Sequence, residues 1–580
     1  MGWSEARCQF CGVSFNIARK RKVGEPDVAS WRFAGELGDT LWGYEQPVED
    51  LDQSECLKQG CALAVIEPEE EDDPVNDPAF VPKSEDCDEY DRSYEYNPEH
   101  ESNSGDHDGN DSLHISDNGD TVGNEEDDEE EKEEEEESLY RNFLAQTIYN
   151  QIHFTGEPVG PFVYASTSVS FQKDILVPLP CNSPPDGYSF DDLEHIPGPK
   201  CPMADAYPGS RISLAEMRGC RTVQFLVHKS LVEDGPWQAD GLHEPWEDFE
   251  EWFLSGLSDG MESRDGGVQR VFPARGGVTE LWEADTIDFH PERRDSTGLA
   301  MPFHPWCFDI FSRQSKLRFG NKVNIAGLIN WRNAECRLDT NHDFPRHPDV
   351  ARAQQQVWMH DPDAAYLVAN PLHITGLTEF LLDAAQEGDF DIKLADEESD
   401  AVLFGNNPTD RLSALPPELR LHIVSFLDSG SILSLRQASK AFMDLPNNVW
   451  YRIVRGQMPW LWEAWEEDEI KHSPSPWTFR TANEVKAVEE LKCRYTAVLS
   501  DEYKYATAPD KVVDYLLPWP AAVIDQGLLS KNDTNWYRVF RKIRTHWPRV
   551  KGLRNRARIW TDVEEVIRRI RMRDSVEPSN

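Results

Sequence analysis

Arg411-Leu412-Ser413-Ala414-Leu415-Pro416-Pro417-Glu418-Leu419-Arg420-Leu421-His422-Ile423-Val424-Ser425-Phe426-Leu427 is the most informative stretch of this chain. Proline is tolerated in a first helical turn, where the N–H groups have no partner. Glu418 then falls near the positive helix end. Leu415, Leu419, Ile423 and Phe426 or Leu427 recur at helical spacing and form one apolar stripe. Asp428-Ser429-Gly430-Ser431 breaks and re-caps the chain. Ile432, Leu435 and Ala438 make a second stripe. A third short element starts at Ser439 or Lys440 and carries Ala441, Phe442 and Leu445. Asn447-Asn448 re-caps before Trp450, Ile453 and Val454. A module this small rarely buries enough surface to stand alone. It should complete its core against a neighbour, and Trp460, Trp462 and Trp465 lie just beyond it.

The segment resembles the F-box family. The family pattern is matched by Leu412, Leu415-Pro416, Glu418, Leu419, Ile423, Leu427, Ile432, Leu435, Ser439-Lys440, Phe442 and Trp450. An ordinary amphipathic hairpin would share the stripes but not the ordered Leu-Pro-x-Glu-Leu start. Phe442 departs from the family, which often has a Trp or an Arg-aromatic pair there, and the doubled proline is a second departure. The resemblance implies docking onto the Skp-type adaptor of a cullin ubiquitin ligase. Leu412, Leu415, Pro416, Glu418, Leu419, Ile423, Leu427, Leu435 and Trp450 are the residues it assigns to adaptor binding. The wider chain is similar to a group of fungal F-box proteins. It shares with them Cys8-Gln9-Phe10-Cys11-Gly12, the run from Arg211-Ile212-Ser213 to Gly219-Cys220, Met301-Pro302-Phe303-His304-Pro305-Trp306-Cys307-Phe308, and Met458-Pro459-Trp460-Leu461-Trp462-Glu463.

The formal net charge is −48, which argues against general nucleic-acid binding. It is concentrated: residues 67–137 hold 32 acidic against 3 basic residues, a net of −29. Such a stretch cannot bury enough apolar surface to offset its ordering entropy, so 67–138 reads as a disordered acidic linker. Residues 1–66 are a Cys-containing segment with Phe10, Phe15, Trp31, Phe33, Trp42 and Tyr44. Structure should resume near Leu139, giving a mixed α/β region over 139–381. Val223 to Val227 reads as a buried strand. Ser213-x-x-Glu216 is a capping box, with Gly219 as a stop. Trp246, Phe249, Trp252 and Phe253 fall at helical spacing and read as core. A second linker covers 382–408, the F-box 409–457 and a helical region 458–580. No apolar run has the length of a membrane helix, and the start lacks the order of a secretory signal. Cytoplasm or nucleus is the expected location. No long-period repeat is present.

Eleven cysteines do not look like a secreted disulfide framework. Cys8 and Cys11 have knuckle spacing. His304 and Cys307 form a second pair ahead of a helical pattern. Zinc takes four such ligands in a tetrahedron, so Cys8, Cys11, His304 and Cys307 are one candidate set for a structural zinc. Cys56 and Cys61 are the alternative second pair. Buried free thiols are the third reading.

Gly256-Leu257-Ser258-Asp259-Gly260 matches a nucleophile-elbow string, but that mechanism needs a strand before the Ser and a helix after it. A loop is the better reading, leaving a hydrolase as a remote alternative. Arg19-Lys20-Arg21-Lys22 could serve as a nuclear address, though a solvated turn is the simpler account. From Lys531 onward 14 basic residues face 6 acidic ones, interleaved with Trp536, Phe540, Ile543 and Trp547. Nucleic-acid contact would use such a pattern. A helical pair with inward aromatics is preferred, with Val563, Val566, Ile567 and Ile570 as its core face. Thr561-x-x-Glu564 reads as a capping box.

The expected architecture is therefore α+β and multi-domain. A mixed N-terminal region, with zinc as its candidate clip, is interrupted by the acidic insertion; a three-helix F-box and a helical C-terminal region follow. The expected function is a non-enzymatic substrate receptor of an SCF-type ligase, binding a Skp-type adaptor, through it a cullin, and an unknown substrate protein. An F-box scaffold acting outside the ligase is the alternative.

Overall fold

The computed structural model describes residues 7–26, 29–30, 51–65, 174–202, 206–231, 243–259, 278–279, 300–335, 344–354, 358–386, 410–443, 445–465, 472, 474–475, 477–482, 484–485 and 527–575. The acidic stretch 67–138, the restart at Leu139 and most of 382–408 lie outside them.

The strands are β1 (Arg19–Lys20), β2 (Ala62–Val65), β3 (Leu176–Val177), β4 (Leu193–Ile196), β5 (Tyr207–Pro208), β6 (Thr222–His228), β7 (Trp252–Asp259), β8 (Val278–Thr279) and β9 (Met301–Phe303). They form three sheets: β1-β5, β3-β2-β4 and β8-β7-β6-β9. In the largest sheet β6 is antiparallel to both β7 and β9, while β8 joins β7 in parallel. Val223, Phe225, Leu226 and Val227 are all buried, as the largely apolar run predicts, and Gln224 within it is buried too.

The helices are α1 (Gln53–Gln59), α2 (Pro305–Arg318), α3 (Ile325–Glu335), α4 (Pro348–Ala353), α5 (Leu377–Gln386), α6 (Pro417–Ser425), α7 (Ser429–Ala438), α8 (Asn447–Gln457), α9 (Trp536–His546) and α10 (Lys551–Asp574). The last helix is the spine of the molecule. It packs on α2 and α3. Gln314 Nε2 donates to the Trp560 carbonyl at 2.7 Å, and Asn555 Nδ2 donates to that of Ala369 at 2.6 Å. One apolar core runs without a break from Cys8 to Ile570, taking in β6, β9, α2, the module at 410–457 and the Trp460–Trp465 segment. Among the described residues no helix is long and apolar enough to cross a membrane.

Several expectations change. Trp252 and Phe253 belong to a strand, not a helix, and Phe249 is 90% exposed. Gly256 to Asp259 lie in β7 rather than in a loop. Ser258 is buried near the end of β7, opposite Val223; the residues after Asp259, where an elbow would need its helix, lie outside the described residues. The basic tetrad is not a solvated turn. Arg19 and Arg21 are buried; Arg19 Nη2 meets Glu25 Oε2 at 2.8 Å, and Arg21 meets Asp174 at 2.7 Å and Glu194 at 2.9 Å. The Arg21 guanidinium ties the N-terminal segment to Asp174 and to Glu194 of β4, while that of Arg19 is held by Glu25 and the Ala29 and Ile212 carbonyls; neither is displayed as an address. The Ser213–Glu216 box forms, with Ser213 N donating to Glu216 Oε2 at 2.8 Å and Glu216 N to Ser213 Oγ at 3.2 Å, but it closes turns rather than a regular helix. Thr561 caps nothing: it is inside α10 and its Oγ1 bonds back to the Ala557 carbonyl at 3.0 Å.

Candidate functional site

Among the described residues, chemistry is carried by the small helical module at 410–457 and by buried Cys/His clusters, of which the one at Cys8, Cys11, His304 and Cys307 is the larger. The module opens on Asp410, whose Oδ1 accepts from Leu412 N at 3.0 Å. Its other carboxylate oxygen takes a hydrogen bond from Ser439 Oγ, tying the entrance to the third element. Pro417 occupies the first position of α6. Asp428 caps α7 by accepting from Ser431 N at 2.6 Å. Ser439 caps the single turn at 440–442. Val424, Ile432, Ala441, Phe442, Leu445, Val449 and Val454 fill the interior.

The module is fixed from behind. Asn447 Nδ2 donates to the Thr534 carbonyl at 2.7 Å, and Asn447 Oδ1 accepts from Trp536 N at 3.0 Å. This staple joins the start of α8 to the start of α9. Trp450 is 3% exposed and packs on Tyr537 and Phe540 with ring centroids 4.7 and 5.6 Å away. Trp450 thus lies in the interior against α9, whereas the sequence reading grouped it with the adaptor-facing residues. Leu412, Leu415, Ile423, Leu427 and Leu435 are half-buried, and Pro416 and Glu418 are exposed. Elsewhere in the module Met443 is exposed; on α6 and its C-cap, Leu419 at 50% and Phe426 at 75% are left in solvent. With Ile423 between them they share one helix face. Phe426, rather than Leu427, is the outward member of the original stripe.

The metal candidate begins with the tight turn at 8–12. Cys8 N donates to the Val13 carbonyl at 2.9 Å and Gly12 N to that of Cys8 at 2.8 Å. Gly12 has φ +71°, a conformation that glycine adopts without a Cβ clash. Cys8 and Cys11 thereby converge. The second pair comes from the joint between β9 and α2. His304 is the extended N-cap residue and Pro305 starts the helix, so Cys307 enters the first turn. The ligand atoms of Cys8, Cys11, His304 and Cys307 all lie within 4.8 Å of one another, and all four residues are buried. Cys11 Sγ is 3.6 Å from His304 Nδ1. A tetrahedral zinc with Zn–S of about 2.3 Å and Zn–N of about 2.0–2.1 Å sets its ligand atoms about 3.6 Å apart. The donor set and its size therefore fit such an ion.

The surroundings orient the ligands. His304 Nε2 lies 3.0 Å from the Cys220 carbonyl, so the ring donates there and leaves Nδ1 to face the sulfurs. Trp306 stacks on the same ring at 4.9 Å. Arg558 Nη1, from α10, donates to the Cys11 carbonyl at 2.9 Å. Burial disfavours charge on His304, but the sulfurs of Cys8 and Cys11 outweigh it and hold its pKa at about 10. Burial likewise opposes ionisation of Cys11. Hydrogen bonds with Cys307 and Cys8, and the charge of His304, nonetheless bring its thiol well below the ordinary value. Cys307, desolvated and beside those sulfurs, is pushed well above it. A divalent cation would neutralise this crowding of negative sulfur. Cys56 and Cys61, the alternative pair, do not join this group; they gather with His195.

The F-box-like family matches residues 412–456. The chain carries an F-box-like domain at these residues. The match covers the F-box and does not reach the Cys-x-x-Cys segment. An F-box-like domain is a protein-interaction module, and it supports an adaptor role for this F-box protein. A curated protein of Aspergillus oryzae, described as the mitochondrial ATP-dependent RNA helicase mss116, is 44% identical over 66 residues. That similarity covers 11% of this chain and 10% of the helicase, so the F-box protein spans about a tenth of that relative's length. No solved structure matches. The sequence reading missed Arg558 and Cys220 as supports of the Cys/His cluster. Nothing in their local pattern marks them, because both act through contacts distant along the chain.

Proposed function

We propose that this chain is the substrate receptor of an SCF-type cullin ubiquitin ligase, docking a Skp-type adaptor through α6 and holding its own body together with one structural zinc at Cys8, Cys11, His304 and Cys307. The supporting observation is the contrast between the two sides of the F-box. Its rear is fused to the core through Trp450, Asn447 and α9, while Leu419 and Phe426 stay in solvent. A module fixed on one side and apolar on the other suits a rigid receptor, which holds a bound substrate at high effective concentration near the ubiquitin-charged enzyme. Cytoplasm or nucleus is the compartment where such a ligase would act. Burial of Trp536 and Phe540 takes two of the aromatic rings that could stack on bases out of solvent, which favours a protein partner over nucleic acid.

Binding of the full chain to a purified Skp-type adaptor tests this reading. Leu419→Asp combined with Phe426→Asp is expected to weaken binding roughly a hundredfold or more, the loss of two interface anchors. Both side chains are exposed, so the thermal melt should stay where it is. Unchanged affinity in the double variant would remove the proposal. Adaptor captured without cullin would leave the scaffold role outside the ligase.

A further inference from the structure

Cys56 and Cys61 flank a built corner of the small sheet. Helix α1 ends at Gly60, φ +77°, whose N–H closes on the Leu57 and Cys56 carbonyls. Gly198 lies directly against it: a Cβ there would fall 2.2 Å from the Gly60 carbonyl carbon. This close backbone approach, which only glycine permits, brings the α1–β2 corner against the chain leaving β4. Lys200 N donates to the Gln59 carbonyl at 3.3 Å and Gly198 N donates to Cys61 Sγ at 3.3 Å. His195, on β4, places Nε2 3.7 Å from Cys56 Sγ. The ligand atoms of Cys56, Cys61 and His195 lie within 4.8 Å of one another. Cys201, 2% exposed, packs into the same cluster with Cys56 and Cys61.

We infer that Cys56, Cys61, His195 and Cys201 form a second structural zinc site, independent of the one at Cys8. Three sulfurs and one imidazole are the soft, tetrahedral donor set that closed zinc sites use. The 3.7 Å separation of Cys56 Sγ and His195 Nε2 is close to the ligand edge of such a tetrahedron, about 3.6 Å. The amide of Gly198 directed at Cys61 is the kind of outer contact that steadies a metal-bound thiolate. The site has a clear task. It joins α1 and β2 to the chain after β4, and residues 66–173, with their acidic run, lie between those two segments. Closing so long a loop costs entropy that two short strands do little to offset. A metal crosslink at its base would hold the corner shut.

The test is the metal content of the full chain, purified under reductant and titrated with zinc. The expected result is two zinc ions per chain. Cys61→Ser with Cys201→Ser should reduce this to one, and Cys201→His should keep two. Cys8→Ser with Cys11→Ser should also reduce it to one, so each site fails or survives separately. Alkylation of the wild-type chain, mapped by mass spectrometry, adds a reading that needs no variant: Cys56, Cys61 and Cys201 should be protected until a chelator is added. A second equivalent that never binds, two ions retained in Cys61→Ser/Cys201→Ser, or a Cys61–Cys201 disulfide under reductant would each overturn the inference.

Discussion

Arg556→Met is expected to lower the unfolding free energy by about 3–5 kcal/mol, the cost of breaking a buried ion pair from one side. Arg556 is fully buried in α10. Its Nη1 and Nη2 donate to Glu463 Oε2 and Oε1 at 2.7 and 2.8 Å. Its Nε donates to the Pro371 carbonyl at 2.6 Å and Nη1 also reaches that of Trp460 at 3.2 Å. The guanidinium lies 4.0 Å over the Trp462 ring. One side chain thus joins the spine helix, the segment after the F-box and the turn at 371. Methionine fills similar volume and leaves a buried carboxylate and two carbonyls without their donor. Adding Glu463→Leu should recover only part of the loss, because removing the carboxylate does nothing for the two carbonyls. Urea melts of the single and double variants measure this. A single-variant loss below about 1 kcal/mol would mean that water or another donor replaces the guanidinium.

That knot shows why the sequence was informative in some places and silent in others. The F-box was legible because its signals are local: proline at the first turn, Asp428 as a cap, and stripes at helical spacing. The Cys8–His304 pairing was legible although 293 residues separate Cys11 from His304, because each half carries its own close-spaced pair. His195 and Cys201 carry no such spacing and are brought to Cys56 only by the β2–β4 register and the Gly60–Gly198 contact. Strand β7 was misread because it is buried on both faces. With no alternation to betray it, the aromatic spacing from Trp246 to Phe253 imitated a helix. Arg19 and Arg21 looked like surface charge because two of their partners, Asp174 and Glu194, are far along the chain. The box at Thr561 was outweighed by a long helix already packed on α2 and α3.

The largest effect expected of all is that of removing the metal assigned to Cys8, Cys11, His304 and Cys307. Structural zinc contributes its binding free energy to folding, on the order of 10 kcal/mol in small zinc domains. Here the ligands occupy the centre of the main core. Phe10 packs on Phe303 and Phe311 with centroids 5.8 and 5.3 Å away, and Phe15 lies 4.6 Å from the His304 ring. Without the ion, three sulfurs and an imidazole would remain buried together, and the chain would relieve that crowding by opening the knuckle. Such opening would expose Phe10 and Phe15 and release the Arg558 bond to the Cys11 carbonyl. Cys8→Ser is therefore expected to lower the midpoint of the wild-type chain's thermal melt by well over ten degrees. Chelator should produce the same change in the Cys61→Ser/Cys201→Ser variant, where only this site is left to respond. The F-box would lose its platform as a consequence, since α10 braces both the knuckle, through Arg558, and the Trp460–Trp465 segment, through Arg556. Adaptor binding in the presence of chelator should fall along with the melt. A melt that neither chelator nor Cys8→Ser displaces would show that hydrophobic packing alone supports the knuckle, and the metal would have to be withdrawn from this site.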